Sequence, residues 1–454
     1  MDTRTKQLDD LQQFPLLHAI FGRRSRRFGL GMEIPSGPLA FTSRSEPIPL
    51  SALERAVLIA AGTGVTGWSF GVPYGPDRPD AHGHYTLRFT GRTAPTAAGI
   101  GTPVLFHTDD DGVYLTDTRD AVPPEEAAVA APPRGDDAHD DPADDADDAG
   151  ATAEQARAII DHAERHTVRL ADTRLDLPSA PGHLLDPNLW MANAPGSTVF
   201  MPVGDASEQF LGILSIFVGN GYVIMDDEAK RPAGDLAPFI RDGLLDESKR
   251  FPLSVLQASA YEANCMELAM MAHNITLTLQ AMGLGGLFYN GVNRWSVLGA
   301  FADDGIEGLG FRFVRDERWS VPNPVGIDDH LEALCPPYYA DMRAAVEAFV
   351  VRKFGPGGAY DPDTPGAWKR SAEVKRSVTP YDESFVDCLA EIAQYVFDKH
   401  GKFPGTLTTM VLPCYVQAHH LDTDFYDEHY GPDAYLRTHA EHMARWHPER
   451  EPRA

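Results

Sequence analysis

The chain has 454 residues, of which 66 are acidic and 39 basic, giving a formal net charge of -27. That excess of negative charge argues against nucleic acid or an anionic membrane as the partner of the whole chain. No run approaches the roughly 18 unbroken apolar residues of a membrane helix, whereas a hydrophobic content of 43% supports a full-sized core.

The first residues, MDTRTKQLDDLQQF, are polar and carry no signal-peptide apolar stretch. The four cysteines, Cys265, Cys335, Cys388 and Cys414, show no metal or redox spacing. A cytoplasmic protein with reduced thiols is the expectation. Residues 8–21 read as a short helix that leads into Arg23-Arg24-Ser25-Arg26-Arg27, a local reversal of sign in an acidic chain. Guanidinium forks match phosphate oxygens, and a serine hydroxyl adds a donor. Arg23, Ser25 and Arg27 alternate, so an extended backbone places them on one side. A solvated basic turn is the plain alternative.

Residues 51–61 predict a helix opened by a Ser51/Glu54 capping box. HYTLRF (84–89) alternates like a strand. The small-residue loop at 91–107 runs into a strand, and 110–117 forms a hairpin arm. Eight aspartates in 135–150, with no apolar residue larger than alanine, predict a disordered insertion spanning 122–150. Residues 152–172 read as helix, and the apolar run at 210–226 as a buried strand pair. Residues 256–282 form the longest helix, ended by Gly283 and Gly285. Further helices are expected at 331–353 and 383–399. The irregular mixture of elements indicates an α+β fold.

Three of these segments, taken in order, resemble the nitroreductase-like flavoprotein family, nearest to its azoline (thiazole/oxazole-forming) dehydrogenase branch. Arg23-x-Ser25-x-Arg27 is similar to the family's FMN phosphate-binding start, and Pro49-Leu50-Ser51 to the Pro-Leu-Ser before its capped helix. The loop Arg92-Thr93-Ala94-Pro95-Thr96-Ala97-Ala98-Gly99 is similar to the branch's Arg-x-x-Pro-Ser-Ala-Gly loop beside the flavin ring. Asn274, Leu277, Gly283, Leu284 and Gly285 fit the family's central-helix motif. Gly29 stands where the family has an aromatic residue, and Arg312 and Arg315 are the candidates for its late basic pair.

The resemblance implies a three-layer fold with a central mixed or antiparallel sheet, formed by residues 1–121 and 151–325. It implies FMN as cofactor, bound by Arg23, Ser25, Arg27, Arg92, Pro95, Thr96, Ala97, Asn274, Gly283, Leu284 and Gly285, and a homodimer with FMN at the subunit interface. The implied activity is FMN-dependent oxidoreduction by ping-pong hydride transfer on a small organic or peptide-derived substrate. No side chain is assigned as acid or base, because the cofactor carries the chemistry.

Residues 326–454 fall outside the resemblance and read as a histidine-rich helical C-terminal extension. His419, His420, Asp422, His439 and His442 have ligand chemistry for zinc or ferrous iron, and His439 and His442 share a helix face. Their spacing matches no metal motif. A metal-dependent enzyme or metal-binding protein built on that cluster is the alternative function. A flavin-free binding member of the family is the other.

Overall fold

The computed structural model describes residues 3–73, 86–127 and 142–449. Its centre is a seven-stranded antiparallel sheet. The strands run Gly285–Tyr289, Tyr415–His419, Thr198–Asp205, Val104–Asp109, Gly112–Thr116 and Thr167–Ala171, and Met410–Val411 pairs with the far end of Thr198–Asp205. Thr198–Asp205 and Val104–Asp109 are buried at every position, so both faces of the sheet are covered.

Side-chain alternation along these strands explains how. Val104, Phe106, Met201 and Val203 enter one core with Phe210, Leu214, Phe349, Phe385 and Leu389. Leu105, Phe200, Val416 and Ala418 enter a second core with Leu58, Ile275 and Leu279. The helices Ala206–Gly219, Met342–Phe354 and Glu383–His400 therefore serve the first face, and Ala52–Thr63 serves the second. The long helix Leu253–Met282 contributes Leu256 and Ala260 to the first core, then Ile275 and Leu279 to the second. That double duty accounts for its apolar character on most faces.

Several expected elements are bounded differently. Residues 8–21 are two helices, Thr3–Gln12 and Leu16–Gly22; Pro15 lacks the N–H that would continue the first. Residues 84 and 85 lie outside the described residues, 86–89 are irregular, and the strand is Thr90–Arg92. The run 210–226 is not a strand pair. It is the end of helix Ala206–Gly219 and the strand Tyr222–Asp226. The helix is nucleated by Asp205, whose carboxylate accepts from the Ser207 and Glu208 N–H groups.

The helix expected at 152–172 is Pro142–Arg165, which includes residues 142–150 of the acidic stretch; residues 135–141 are not described. It gives way to the edge strand Thr167–Ala171. Residues 331–353 begin as the strand Leu331–Glu332, and helix starts only at Met342, capped by Asp341. The C-terminal region is not an appended helical unit either. Tyr415–His419 lies inside the sheet between Gly285–Tyr289 and Thr198–Asp205 and is buried at every position.

Candidate functional site

The basic stretch is sewn to the sheet edge. Arg26 N–H donates to the Gly286 carbonyl at 3.1 Å and Gly286 N–H returns to the Arg26 carbonyl at 2.8 Å. This pairing turns Arg26 and Phe28 inward. The Arg26 guanidinium is engaged internally, donating to Gln280 Oε1 at 2.6 Å, the Ala434 carbonyl at 2.9 Å and the Gly22 carbonyl at 3.3 Å. Burial lowers its pKa to about 10. It is a structural cation, not a free phosphate ligand.

Its neighbours open onto a cavity of about 470 Å³. Arg24, Ser25, Arg26 and Arg27 form one wall, and Phe28, Trp190, Phe425, Tyr426 and Tyr430 supply aromatic surface, with Asp433 at the margin. The size lies within the range of small-molecule sites. Phe28 is fixed by stacking on Phe425 with ring centroids 4.3 Å apart. Arg24 and Arg27 are exposed, and Arg27 makes no hydrogen bond or ion pair among the described residues. Arg23 caps the end of helix Leu16–Gly22 and is not part of the wall.

The loop at 92–99 lies elsewhere. Arg92 turns inward and donates to Thr118 Oγ1 at 2.9 Å and to the carbonyls of Thr118 and Arg119 at 2.6 and 2.8 Å; burial lowers its pKa to about 10. Asn274 Nδ2 donates to the Thr93 carbonyl at 2.8 Å, and Ala97 N–H donates to Glu267 Oε1 at 2.9 Å. So the fold does join Asn274 to the loop that carries Pro95, Thr96 and Ala97. None of these residues lines the arginine cavity.

Glu267 itself was not singled out by sequence. Burial pushes its carboxyl up to about 7 from an ordinary 4.5, and its Oε2 has no partner among the described residues. Below pH 4.5 it is protonated folded and unfolded alike. Between 4.5 and 7 the unfolded chain ionises first, so stability is lost as pH rises through the folded value. Glu267→Gln is therefore expected to stabilise the protein at pH 8 by up to about 3 kcal/mol, and much less at pH 5. Urea unfolding at the two pH values checks this; an equal effect at both would contradict it.

Gly283 ends the long helix in the left-handed region, φ 86°, where glycine is the favoured residue. A Cβ there would lie 2.1 Å from the Thr438 carbonyl, and one at Gly285 would lie 2.8 Å from the His419 ring. Leu284 is buried in the second core. The Gly283–Gly285 turn is thus covered by the C-terminal segment of its own chain. Arg312 pairs with Asp328 at 3.7 Å, and Arg315 donates to the Ala300 carbonyl at 3.0 Å; neither lines the arginine cavity.

The C-terminal ligand candidates separate. His419 Nε2 lies 3.1 Å from the Arg26 carbonyl. Asp422 caps the helix Thr423–His429 and accepts from Ser43 Oγ at 2.6 Å. His439 Nδ1 takes the Leu436 N–H at 3.2 Å. His420 and His442 instead meet two residues from outside that set, Glu54 and His447. Around Glu54 Oε1, the Nε2 atoms of His420, His442 and His447 stand at 3.2, 2.8 and 3.1 Å. All four residues are buried. Burial alone would raise the Glu54 carboxyl; its pKa falls far below the usual carboxylate range only while the three imidazole positions present N–H groups or positive charge to it. Burial pushes His420 down.

No protein-family model matches the chain, and no curated protein sequence matches it. Among solved structures, one match is a protein from Ralstonia eutropha JMP134 described as a "putative nitroreductase". The two are 16% identical, with a TM-score of 0.26, over 62% of this chain and 71% of that one. At that identity and score the likeness carries no argument about function. No helix among the described residues is long and apolar enough to cross a membrane.

Proposed function

We propose that this protein is an oxidoreductase that binds FMN with its phosphate against the Arg24–Arg27 wall and its ring among the aromatic residues of the same cavity. The observation that carries the reading is the cavity itself: about 470 Å³ lined by Arg24, Ser25, Arg26 and Arg27 together with Phe28, Trp190 and Tyr426. Exposed guanidinium groups bind phosphate oxygens by charge-assisted hydrogen bonds, and aromatic faces accept a planar ring by offset stacking. The order of the basic stretch, the 92–99 loop and the 274–285 helix end gives independent support through the nitroreductase-like resemblance, with its three-layer fold and homodimeric habit.

At the anionic end the groups available to a phosphate are Arg24, Ser25 and Arg27, since Arg23 lies outside the cavity and Arg26 is engaged internally. The 92–97 loop and the Gly283–Gly285 turn do not join the same cavity within one chain, so no ring contact is assigned to them. Bound FMN would supply two-electron transfer to and from a small organic or peptide-derived substrate. The chain's own part is to anchor the phosphate with Arg24, Ser25 and Arg27 and to present Trp190 and Tyr426 as walls that exclude water. The test is the visible absorption of the protein after incubation with FMN and desalting. Retained flavin colour at one equivalent per chain is expected, and a colourless protein would reject the reading.

A further inference from the structure

We propose that Glu54, His420, His442 and His447 form a closed binding site for one divalent transition-metal ion, zinc by preference. The site stands apart from the arginine cavity and does not depend on the flavin reading. One ligand atom from each residue lies within 4.8 Å of all the others. Three of the separations run from Glu54 Oε1 to an imidazole Nε2, at 2.8–3.2 Å, and a fourth, His447 Nε2 to His420 Nε2, is 3.2 Å. Zinc bonds to nitrogen and oxygen of about 2.0–2.2 Å set the edges of a tetrahedral shell at roughly 3.3–3.5 Å. Those four separations stand close to that spacing, and the remaining two lie within 4.8 Å.

The outer hydrogen bonds fix which ring nitrogen is available. His420 Nδ1 lies 2.9 Å from the Ile48 carbonyl, and His442 Nδ1 lies 2.9 Å from the Met282 carbonyl. A carbonyl only accepts, so both Nδ1 atoms carry the proton, and in the neutral rings both Nε2 lone pairs point at the Glu54 carboxylate. Two nitrogen lone pairs and a carboxylate converging in a buried space repel one another unless a cation, a proton or a metal ion, lies between them. His442 Nε2 is the nearest of the three imidazole nitrogens to the carboxylate. It is buried and 2.8 Å from Glu54 Oε1, yet makes no hydrogen bond. Backbone carbonyls behind metal-binding imidazoles are the usual orienting arrangement.

Four protein ligands and full burial describe a structural centre with no open position. The ligands come from the first turn of helix Ala52–Thr63, the residue after strand Tyr415–His419, the helix Arg437–Trp446 and its C-cap. A bound ion would clamp the end of the chain onto its first third, and its binding energy would become folding energy. Three imidazoles and one carboxylate in a tetrahedral array suit zinc over magnesium or calcium, which take more oxygen ligands.

The experiment uses the full-length protein, purified without a histidine tag. Elemental analysis is expected to find one zinc per chain. Chelation should lower the thermal midpoint and added zinc should restore it. Cobalt(II) added to the chelated protein should give the intense visible bands of a tetrahedral ion. Glu54→Gln keeps an acceptor for the Ser51 N–H in the capping box but weakens the metal shell, and His447→Ala removes one ligand; both should lose stoichiometric metal and the response to chelator. Protein that is folded by circular dichroism, contains no zinc and gives no cobalt bands would overturn the proposal, as would variants that keep their metal. The cobalt spectrum of the unmutated protein decides the matter even if both variants fail to fold.

Discussion

Replacing Glu208 by alanine is expected to cost about 3–5 kcal/mol of folding stability. Glu208 sits in the first turn of helix Ala206–Gly219 and is fully buried. Its carboxylate accepts from Arg88 Nη1 and Nη2, both at 3.0 Å, and pairs with Arg352. Arg88 is buried too and reaches on to Asp120 at 2.7 Å and the Ile100 carbonyl at 2.6 Å. Taking Glu208 away leaves two guanidinium groups facing each other in a medium of low dielectric, with Asp120 as the remaining counter-charge. The loss approaches a large share of the roughly 5–15 kcal/mol that holds a domain together. Asp120→Asn is the control. Asp120 is half exposed although its partner Arg88 is buried, and asparagine keeps an acceptor for that guanidinium, so the cost should be the smaller of the two, about 1–2 kcal/mol. Urea unfolding of the two variants should separate them clearly, and similar losses would refute the view that Glu208 is the hub.

Gly283→Ala is expected to cost about 2–5 kcal/mol, through two additive causes. An alanine at φ 86° is held in the left-handed region, at about 1–2 kcal/mol. Its Cβ would stand 2.1 Å from the Thr438 carbonyl, so the last helix must shift, and overpacking of this kind costs about 1–3 kcal/mol. The variant discriminates between two roles for the glycine turn. If the turn supports the C-terminal helix, unfolding free energy falls and FMN affinity changes little. If it also faces the flavin ring, FMN affinity falls together with stability.

Much of the fold could be read from residues alone where a local signal was unambiguous. The Ser51/Glu54 capping box, the Gly283 C-cap and the helix at 383–400 are stated by their own chemistry. The run at 210–226 was ambiguous because a short apolar stretch does not distinguish a buried strand from a buried helix; the aspartate cap at Asp205 was the local signal that resolves it. The basic stretch was legible, but the expected alternation of Arg23, Ser25 and Arg27 is not what lines the cavity: Arg24, Ser25, Arg26 and Arg27 do, and Arg23 caps the preceding helix. Which side would be buried was not legible, because the Arg26–Gly286 pairing that settles it joins residues far apart in sequence.

The histidine cluster shows the same limit. Glu54 is fully explained by its capping box, so nothing local pointed to a second role. Its partners His420 and His447 lie 366 and 393 residues away. His439 and His442 share a helix face, yet the fold pairs His442 with His447 across the helix end. His439 turns back to its own N-terminus.

A flavin site in this chain requires that the arginine wall grip a phosphate. A fluorescence titration with FMN and with riboflavin, which has the same ring and no phosphate, tests this most directly. The unmutated protein should bind FMN at least about tenfold more tightly than riboflavin, since each charge-assisted hydrogen bond is worth about 1.5–3 kcal/mol. Arg24→Ala/Arg27→Ala should erase that preference with no change in thermal midpoint. Equal affinity for the two compounds, or none for either, would contradict phosphate anchorage by these arginines.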